Sequence, residues 1–243
     1  MSGGDTPMTV EAVHFRVPAN VAGSLSRTYV EALGMRTLGA LRFGYGETEL
    51  VFADDAPGPH VADDADLYWK IGVTVADLDA AVAQVRRAGV EVSSPWSLAG
   101  IGYLCHLRDP AGLQIELLQR RWEGHAEPNG EHAFESARLA HVSLRVTAGH
   151  AARTWWRALG LFELDAMDLP GRAFSLSFHG PVAAVAPVGP LRARREWLWS
   201  RPETLIELQH RPGPVRASPG TGLTGLVIDG SWVGAETLTT AAN

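Results

Sequence analysis

The sequence predicts an α+β protein built from a repeated βαβββ unit. Three segments share one order, an apolar strand followed by an amphipathic helix that ends at a glycine, at 11–34, 68–89 and 139–160. Short strand-like segments follow each of them, and LQIEL (113–117) and TLIEL (204–208) resemble one another as the last strand. Repetition of the same order indicates a repeated structural unit, and a single unit exposes one face of a small sheet. We therefore expect the units to pair.

The first unit begins with a strand over 11–17, EAVHFRV, which is rich in β-branched and aromatic residues. A helix is predicted from Asn20 to Leu33, because apolar residues recur at helical spacing and Gly34 follows. Two strands are predicted next, over 36–44 and 47–53.

The second unit has the clearest pattern. YWKIGVTV (68–75) is a strand, Asp77 is a helix N-cap, and Gly89 closes that helix. Strands are predicted over 90–92, 102–107 and 113–119, which completes the βαβββ order.

A third unit is predicted from the strand 139–146 and a helix over 148–159. Strands near 172–179, 182–187, 196–199 and 204–209 follow. The arginine-rich segment 191–196, LRARRE, is predicted to be a solvated loop. A fourth unit starts at 222–229 but has room for only one short helical stretch.

The polar segment 121–137 is rich in charged and turn residues and is predicted to be a linker. We expect a complete two-unit domain over 8–120 and a second domain over 138–243 with an incomplete fourth unit. The third unit then lacks a partner, which predicts a homodimer through 138–230.

Composition narrows the functional class. The 243 residues carry a formal net charge of −6, which argues against a nucleic-acid partner. Cys105 is the one cysteine, so no internal disulfide forms, and we see neither a secretory leader nor a membrane span. We expect a cytoplasmic protein that binds a small molecule. Of the 21 basic residues only Lys70 is a lysine.

Two segments resemble the vicinal-oxygen-chelate superfamily, which includes glyoxalase I, extradiol dioxygenases and bleomycin-resistance proteins. They are KIGVTVADLDAAVAQVRRAGVEV (70–92) and GYLCHLRDPAGLQIELLQ (102–119), and VHFRV and ALGM (13–17 and 32–35) are also typical. The resemblance implies that two βαβββ units form a cup around a divalent metal such as Fe, Zn, Ni or Mn. Each unit then offers two ligand positions, usually His on its first strand and Glu on its last strand.

Those positions fall on different residue types in the three complete units. They are His14 and Glu49 in the first unit, Lys70 and Glu116 in the second, and His141 and Glu207 in the third. Lysine is a poor metal ligand at neutral pH because it is protonated. Lys70 would place an ammonium where relatives place a metal.

The leading hypothesis is a lyase or isomerase whose first two units form a cup with His14, Glu49, Lys70 and Glu116. Glu49 or Glu116 would remove a proton beside a carbonyl group, and Lys70 with His14 would stabilise the enolate oxygen. No metal is needed in this reading, because Lys70 supplies the positive charge.

Two alternatives remain open. A metal could be held by His14, Glu49 and Glu116, by His141 and Glu207 with the same pair of a second subunit, or by His14, Glu49, His141 and Glu207. Such sets would suit a glyoxalase-type lyase or an extradiol-type dioxygenase. The other alternative is a drug-binding resistance protein without catalysis.

Overall fold

The computed structural model confirms the predicted α+β class: the strands of paired βαβββ units form two sheets, and helices connect them. It describes residues 8–122, 133–147, 149–169, 171–181, 186–218 and 220–243. Most of the predicted linker 121–137 and of the predicted strand 182–187 lies outside these ranges. No helix within them is long and apolar enough to cross a membrane.

The first unit follows the predicted order. Its elements are β1 (Val10–Arg16), α1 (Ala19–Ser26) with a π-helical continuation (Arg27–Ala32), β2 (Arg36–Gly39), β3 (Arg42–Tyr45) and β4 (Thr48–Ala53). The predicted strand 36–44 is a hairpin, because Leu41 takes a φ of 55° and turns the chain between β2 and β3.

The second unit matches the prediction most closely. It contains β5 (Tyr68–Val75), α2 (Leu78–Arg87), β6 (Trp96–Leu98), β7 (Gly102–Arg108) and β8 (Gln114–Gln119). The carboxylate of Asp77 caps α2 by accepting a hydrogen bond from the Ala80 amide at 3.0 Å. The predicted strand 90–92 is reduced to one bridge, between Val92 and Leu107.

The third and fourth units contain the remaining elements. These are β9 (Arg138–Val146), α3 (Gly149–Ala158), β10 (Phe162–Asp168), β11 (Ser175–Gly180), α4 (Leu191–Trp199), β12 (Leu205–His210), β13 (Gly222–Ile228), β14 (Ser231–Gly234) and α5 (Ala235–Ala242).

The segment predicted as an arginine loop and a strand is the helix α4. One face of it is buried, with Arg195, Leu198 and Trp199 pointing inward. The guanidinium of Arg195 makes an ion pair with Asp165 of β10, and the Trp199 indole donates to the Ile101 carbonyl at 3.0 Å. The segment is therefore a helix with Arg195, Leu198 and Trp199 on one face, and not a strand with the alternating Trp-Leu-Trp pattern of 197–199. The residues that contact this face come from distant strands.

The pairing of units differs from the expected cup of the first two. One sheet has the order β14-β13-β1-β4-β3-β2, and the other has the order β10-β11-β12-β9-β5-β8-β7-β6. The first unit thus pairs with the fourth, and the second pairs with the third through antiparallel β5 and β9. The sheets do not follow the expected division at 121–137.

The pairing of the second unit with the third also removes the argument for a homodimer, which was that the third unit has no partner in its own chain. The third unit has a partner within the chain, because β9 lies beside β5 and is covered along that edge. A homodimer stays a prediction without that argument.

Candidate active site

The strand register places the predicted ligand positions of the second and third units on one face of the larger sheet. Gly72 of β5 lies opposite Glu116 of β8 and opposite His141 of β9, while Lys70 lies opposite Ser143. Ser143 in turn lies opposite Glu207 of β12. Since residues two apart in a strand share a face, Lys70, Glu116, His141 and Glu207 converge. We name these four residues the central cluster.

Lys70 is the cation of the central cluster. Its Nζ donates to Glu116 Oε2 at 2.6 Å and lies 3.5 Å from Glu207 Oε2. The ammonium also stands 4.5 Å from the centre of the Trp69 ring. Burial alone would lower the pKa of Lys70, but the two carboxylates outweigh it and raise that pKa, so the side chain is charged at neutral pH.

Glu116 is the most heavily contacted carboxylate. Its Oε2 accepts from Lys70 and lies 3.1 Å from Nε2 of His106, a neighbour on β7. Burial would raise the pKa of Glu116, yet Lys70 and the flanking imidazoles hold it well below its usual range. The Ser143 hydroxyl donates to Glu207, the second carboxylate.

His141 packs against a position where only glycine fits. Its Nε2 is 3.4 Å from an oxygen of Glu116 and 3.4 Å from one of Glu207, but neither ring nitrogen makes a well-oriented hydrogen bond to a described residue. A β-carbon on Gly72 would lie 2.1 Å from His141 Nε2. The absence of a side chain at Gly72 thus leaves the space that the His141 imidazole fills.

We expect Gly72→Ala to destabilise the protein by about 1–3 kcal/mol, because the added methyl group overlaps a buried ring between two strands. Gly23→Ala is the matched control, since no atom lies within 4 Å of a β-carbon there. Urea unfolding followed by circular dichroism measures both. Equal stability of the two variants would show that His141 does not fill this space.

The remaining predicted site residues, His14 and Glu49, lie in the other sheet. His14 packs edge-on against Trp232 with ring centres 4.9 Å apart, and Glu49 makes an ion pair with Arg42 at 2.7 Å. Burial lowers the pKa of His14, although Glu49 opposes this. Because β1 and β4 belong to the smaller sheet, the structure does not bring these two residues to Lys70 and Glu116.

The metal that the resemblance implies does not fit the central cluster. Lys70 Nζ takes the space beside both carboxylates, and a divalent ion about 4 Å from an ammonium is repelled by about 8 kcal/mol at an effective dielectric constant of about 20. Within the described ranges, no three His, Cys, Asp or Glu side chains are arranged to hold a metal. The geometry instead gives a fixed buried cation between two carboxylates.

Two members of the site, His106 and Ser143, are not among the residues predicted from the sequence. Cys105 and His106 are neighbours on β7 and therefore point to opposite faces of the sheet: the Cys105 thiol is buried, and desolvation raises its pKa to about 12. Alternation along β7 could have found His106, because it then shares a face with Glu116 across the β7–β8 ladder.

Comparison with known proteins agrees with the fold. Residues 12–117 match the family model described as "Glyoxalase/Bleomycin resistance protein/Dioxygenase superfamily". Curated protein sequences give no match. Glyoxalase I from Zea mays has 17% sequence identity and a TM-score of 0.62, with 91% of this chain and 74% of that chain covered.

Two further solved structures illustrate the range of similarity. A mutant of the Zea mays enzyme has 16% identity and a TM-score of 0.63, over 91% of this chain and 75% of that chain. A glyoxalase/bleomycin resistance protein from Streptomyces sp. CB03234 has 25% identity and a TM-score of 0.34, over 45% of this chain and 99% of that one. The family match covers residues 12–117 and confirms the resemblance to the vicinal-oxygen-chelate superfamily over that part of the chain, while the paired βαβββ units give the described residues the fold of glyoxalase I.

Proposed function

We propose that the protein is an enzyme of the lyase or isomerase type that moves a proton beside a carbonyl group without a resident metal. One observation carries the proposal: a charged Lys70 is hydrogen-bonded to Glu116 and lies on β5, the strand along which the second and third units meet. A fixed cation in a water-excluded site stabilises negative charge more strongly than one in water. The cation that relatives obtain from a metal would here be part of the chain.

The four residues have separate roles in this proposal. Lys70 keeps Glu116 ionised, and the paired charges make a fixed field on one face of the larger sheet. Ser143 holds Glu207 by a hydrogen bond, and Gly72 lets His141 lie flat against β5. These contacts keep the field in one geometry, so that little reorganisation accompanies proton transfer.

The residues of this proposed site differ from those of the cup predicted from the sequence. His14 and Glu49 belong to the smaller sheet, so the central cluster replaces the expected cup of the first and second units. A metal-dependent dioxygenase or glyoxalase is the weaker candidate, because its ion would have to displace the Lys70 ammonium.

Proton exchange tests the proposal without knowledge of the product. The protein is dialysed against a chelator and incubated in D2O with 2-oxo and 2-hydroxy carbonyl compounds, and loss of the C–H signal is followed by NMR. We expect exchange in the wild type and a fall of about 10²-fold or more in Glu116→Gln, the usual contribution of acid–base groups.

Two further variants make this experiment selective. Glu163→Gln changes a carboxylate that forms a surface ion pair with Arg153, and it should exchange at the wild-type rate. Glu49→Gln tests the other sheet. Loss of exchange in Glu49→Gln with full exchange in Glu116→Gln would move the activity to the smaller sheet and refute the proposal.

A further inference from the structure

His106 is the part of the charge network that reaches solvent. Its side chain is 30% exposed, whereas those of Lys70 and Glu116 are 4% exposed. Nε2 faces Glu116 Oε2, the same oxygen that accepts from Lys70. Nδ1 has no hydrogen-bond partner within the described ranges, and the ring rests edge-on against Trp96 at 5.1 Å.

A cavity of about 920 Å³ lies on the outer side of His106. The loop after α2 and the adjoining ends of β7 and β8 form its walls. Its charged and polar lining residues are Arg86, Glu91, Ser93, His106, Arg108 and Gln114. His106 and Arg108 are two apart on β7 and pair with Glu116 and Gln114, so both side chains lie on the face of the central cluster.

The cavity is held in shape by short contacts. Ser93 and His106 are joined by two hydrogen bonds, from the Ser93 amide to the His106 carbonyl at 2.9 Å and from the His106 amide to Ser93 Oγ at 3.0 Å. Arg108 donates to the Gly112 carbonyl at 3.0 Å and to Gln114 Oε1 at 3.2 Å. The wall that carries His106 is therefore fixed to both neighbouring segments.

We infer that His106 is the catalytic base that touches the substrate, and that this substrate is a small 2-oxo or 2-hydroxy carboxylate seated in the cavity against Arg86 and Arg108. The inference rests on the proposed function and deepens it. Arginine suits a carboxylate because its planar donors match two oxygens at once.

The proton transfer balances without another reactant. Glu116 accepts from Nε2–H of His106, which leaves Nδ1 as the free acceptor. Nδ1 takes the proton from the carbon beside the carbonyl group, the C–H electron pair forms the enolate, and a cavity arginine stabilises the negative charge on its oxygen. The same nitrogen then returns the proton to the enolate oxygen, which gives the enol, or to the same carbon, so the reaction is neither an oxidation nor a reduction.

Glu116 itself is the poorer base. Lys70 and the imidazoles hold its pKa well below the usual range despite burial, and general bases work best when their pKa is near the operating pH. Glu116 instead orients His106 and stabilises the imidazolium that forms, as a carboxylate behind a catalytic histidine does.

The substrate seat is tested with malonate as the probe. Diethyl pyrocarbonate should modify His106 and leave the buried His141 unmodified, as mapped by mass spectrometry, and malonate should protect His106. Arg86→Gln should weaken this protection about tenfold, the loss expected for one charge-assisted hydrogen bond. Arg87→Gln, at the exposed neighbouring arginine outside the cavity, is the matched control and should protect like the wild type.

The base is tested with His106→Gln in the D2O exchange experiment on a 2-oxo carboxylate. We expect exchange to fall about 10²-fold with an unchanged melting temperature, and to recover in part when imidazole is added. Full exchange in His106→Gln, or equal malonate protection in the two arginine variants, would overturn the inference. If only Glu116→Gln loses exchange, the proposed function stands and the role of His106 is wrong; if the wild type exchanges nothing, the proposed function itself fails.

Discussion

Lys70→Met is expected to lower the free energy of unfolding by about 3–5 kcal/mol at pH 7, the cost of leaving a buried charge without its partner. The variant keeps the carboxylates of Glu116 and Glu207 in a site from which water is excluded. Urea unfolding measures the loss, since the midpoint changes while the slope stays constant.

A charge-balanced variant separates this effect from the loss of packing. Lys70→Met combined with Glu116→Leu removes one cation and one carboxylate, and hydrophobic replacement of a buried ion pair is often close to neutral. We expect the double variant to recover most of the lost stability. A loss below about 1 kcal/mol in Lys70→Met, the range of surface ion pairs, would show that Lys70 is not the buried partner of Glu116.

The pH dependence of the loss has a definite sign. A carboxyl group with a lowered pKa stabilises the folded state above its unfolded value, and this stabilisation disappears as the pH falls through the folded value. Removing Lys70 removes the main cause of the lowered pKa of Glu116. The gap between wild type and Lys70→Met should therefore be largest near neutral pH and narrow toward acid pH.

Lys70→His is expected to create a divalent metal site. The change removes the ammonium and gives the central cluster two imidazoles and two carboxylates, a ligand set suited to first-row divalent ions. The introduced imidazole would stand on the first strand of the second unit, in the position that His141 has in the third. We expect about one equivalent of Zn, Ni, Mn or Fe per chain by elemental analysis after chelation and reloading.

Two controls make the metal result specific. Lys70→Gln removes the charge without adding a ligand and should bind more weakly than Lys70→His. His141→Ala in the Lys70→His background should abolish binding. A full equivalent of metal on the wild-type protein, held against the chelator, would contradict the conclusion that the Lys70 ammonium excludes an ion.

The units themselves could be predicted from the sequence, because each strand and helix carries its own local pattern. Lys70, Glu116, His141 and Glu207 are indicated by the family resemblance, which places ligand positions on the first and last strands of each unit, and His14 and Glu49 are indicated equally. The pairing of the units could not be predicted in the same way. Each of the four units contributes a similar small group of strands, and any two of these groups can join along the same edge. The pairing of β1 with β13 joins segments more than 200 residues apart, and no local pattern reports it.

The helix α4 could not be predicted for a related reason. Its Arg195 looks like a solvated residue until Asp165 is placed beside it by β10, a strand that the sequence pattern does not predict. A buried arginine needs such a partner, so the segment can be assigned only after its distant neighbour is known. His106 is missed because its partner Glu116 is ten residues away across a turn rather than beside it.

The way β1 meets β13 has a consequence for synthesis of the protein. The ribosome makes β1 more than 200 residues before its neighbour β13. The central cluster also forms late, because Glu207, the second carboxylate beside Lys70, lies on β12. Because contacts between distant segments slow folding, the edge of β1 stays unpaired in the growing chain until β13 has been made. Synthesis of β12 is thus needed to complete the larger sheet, and synthesis of β13 and β14 to complete the smaller one.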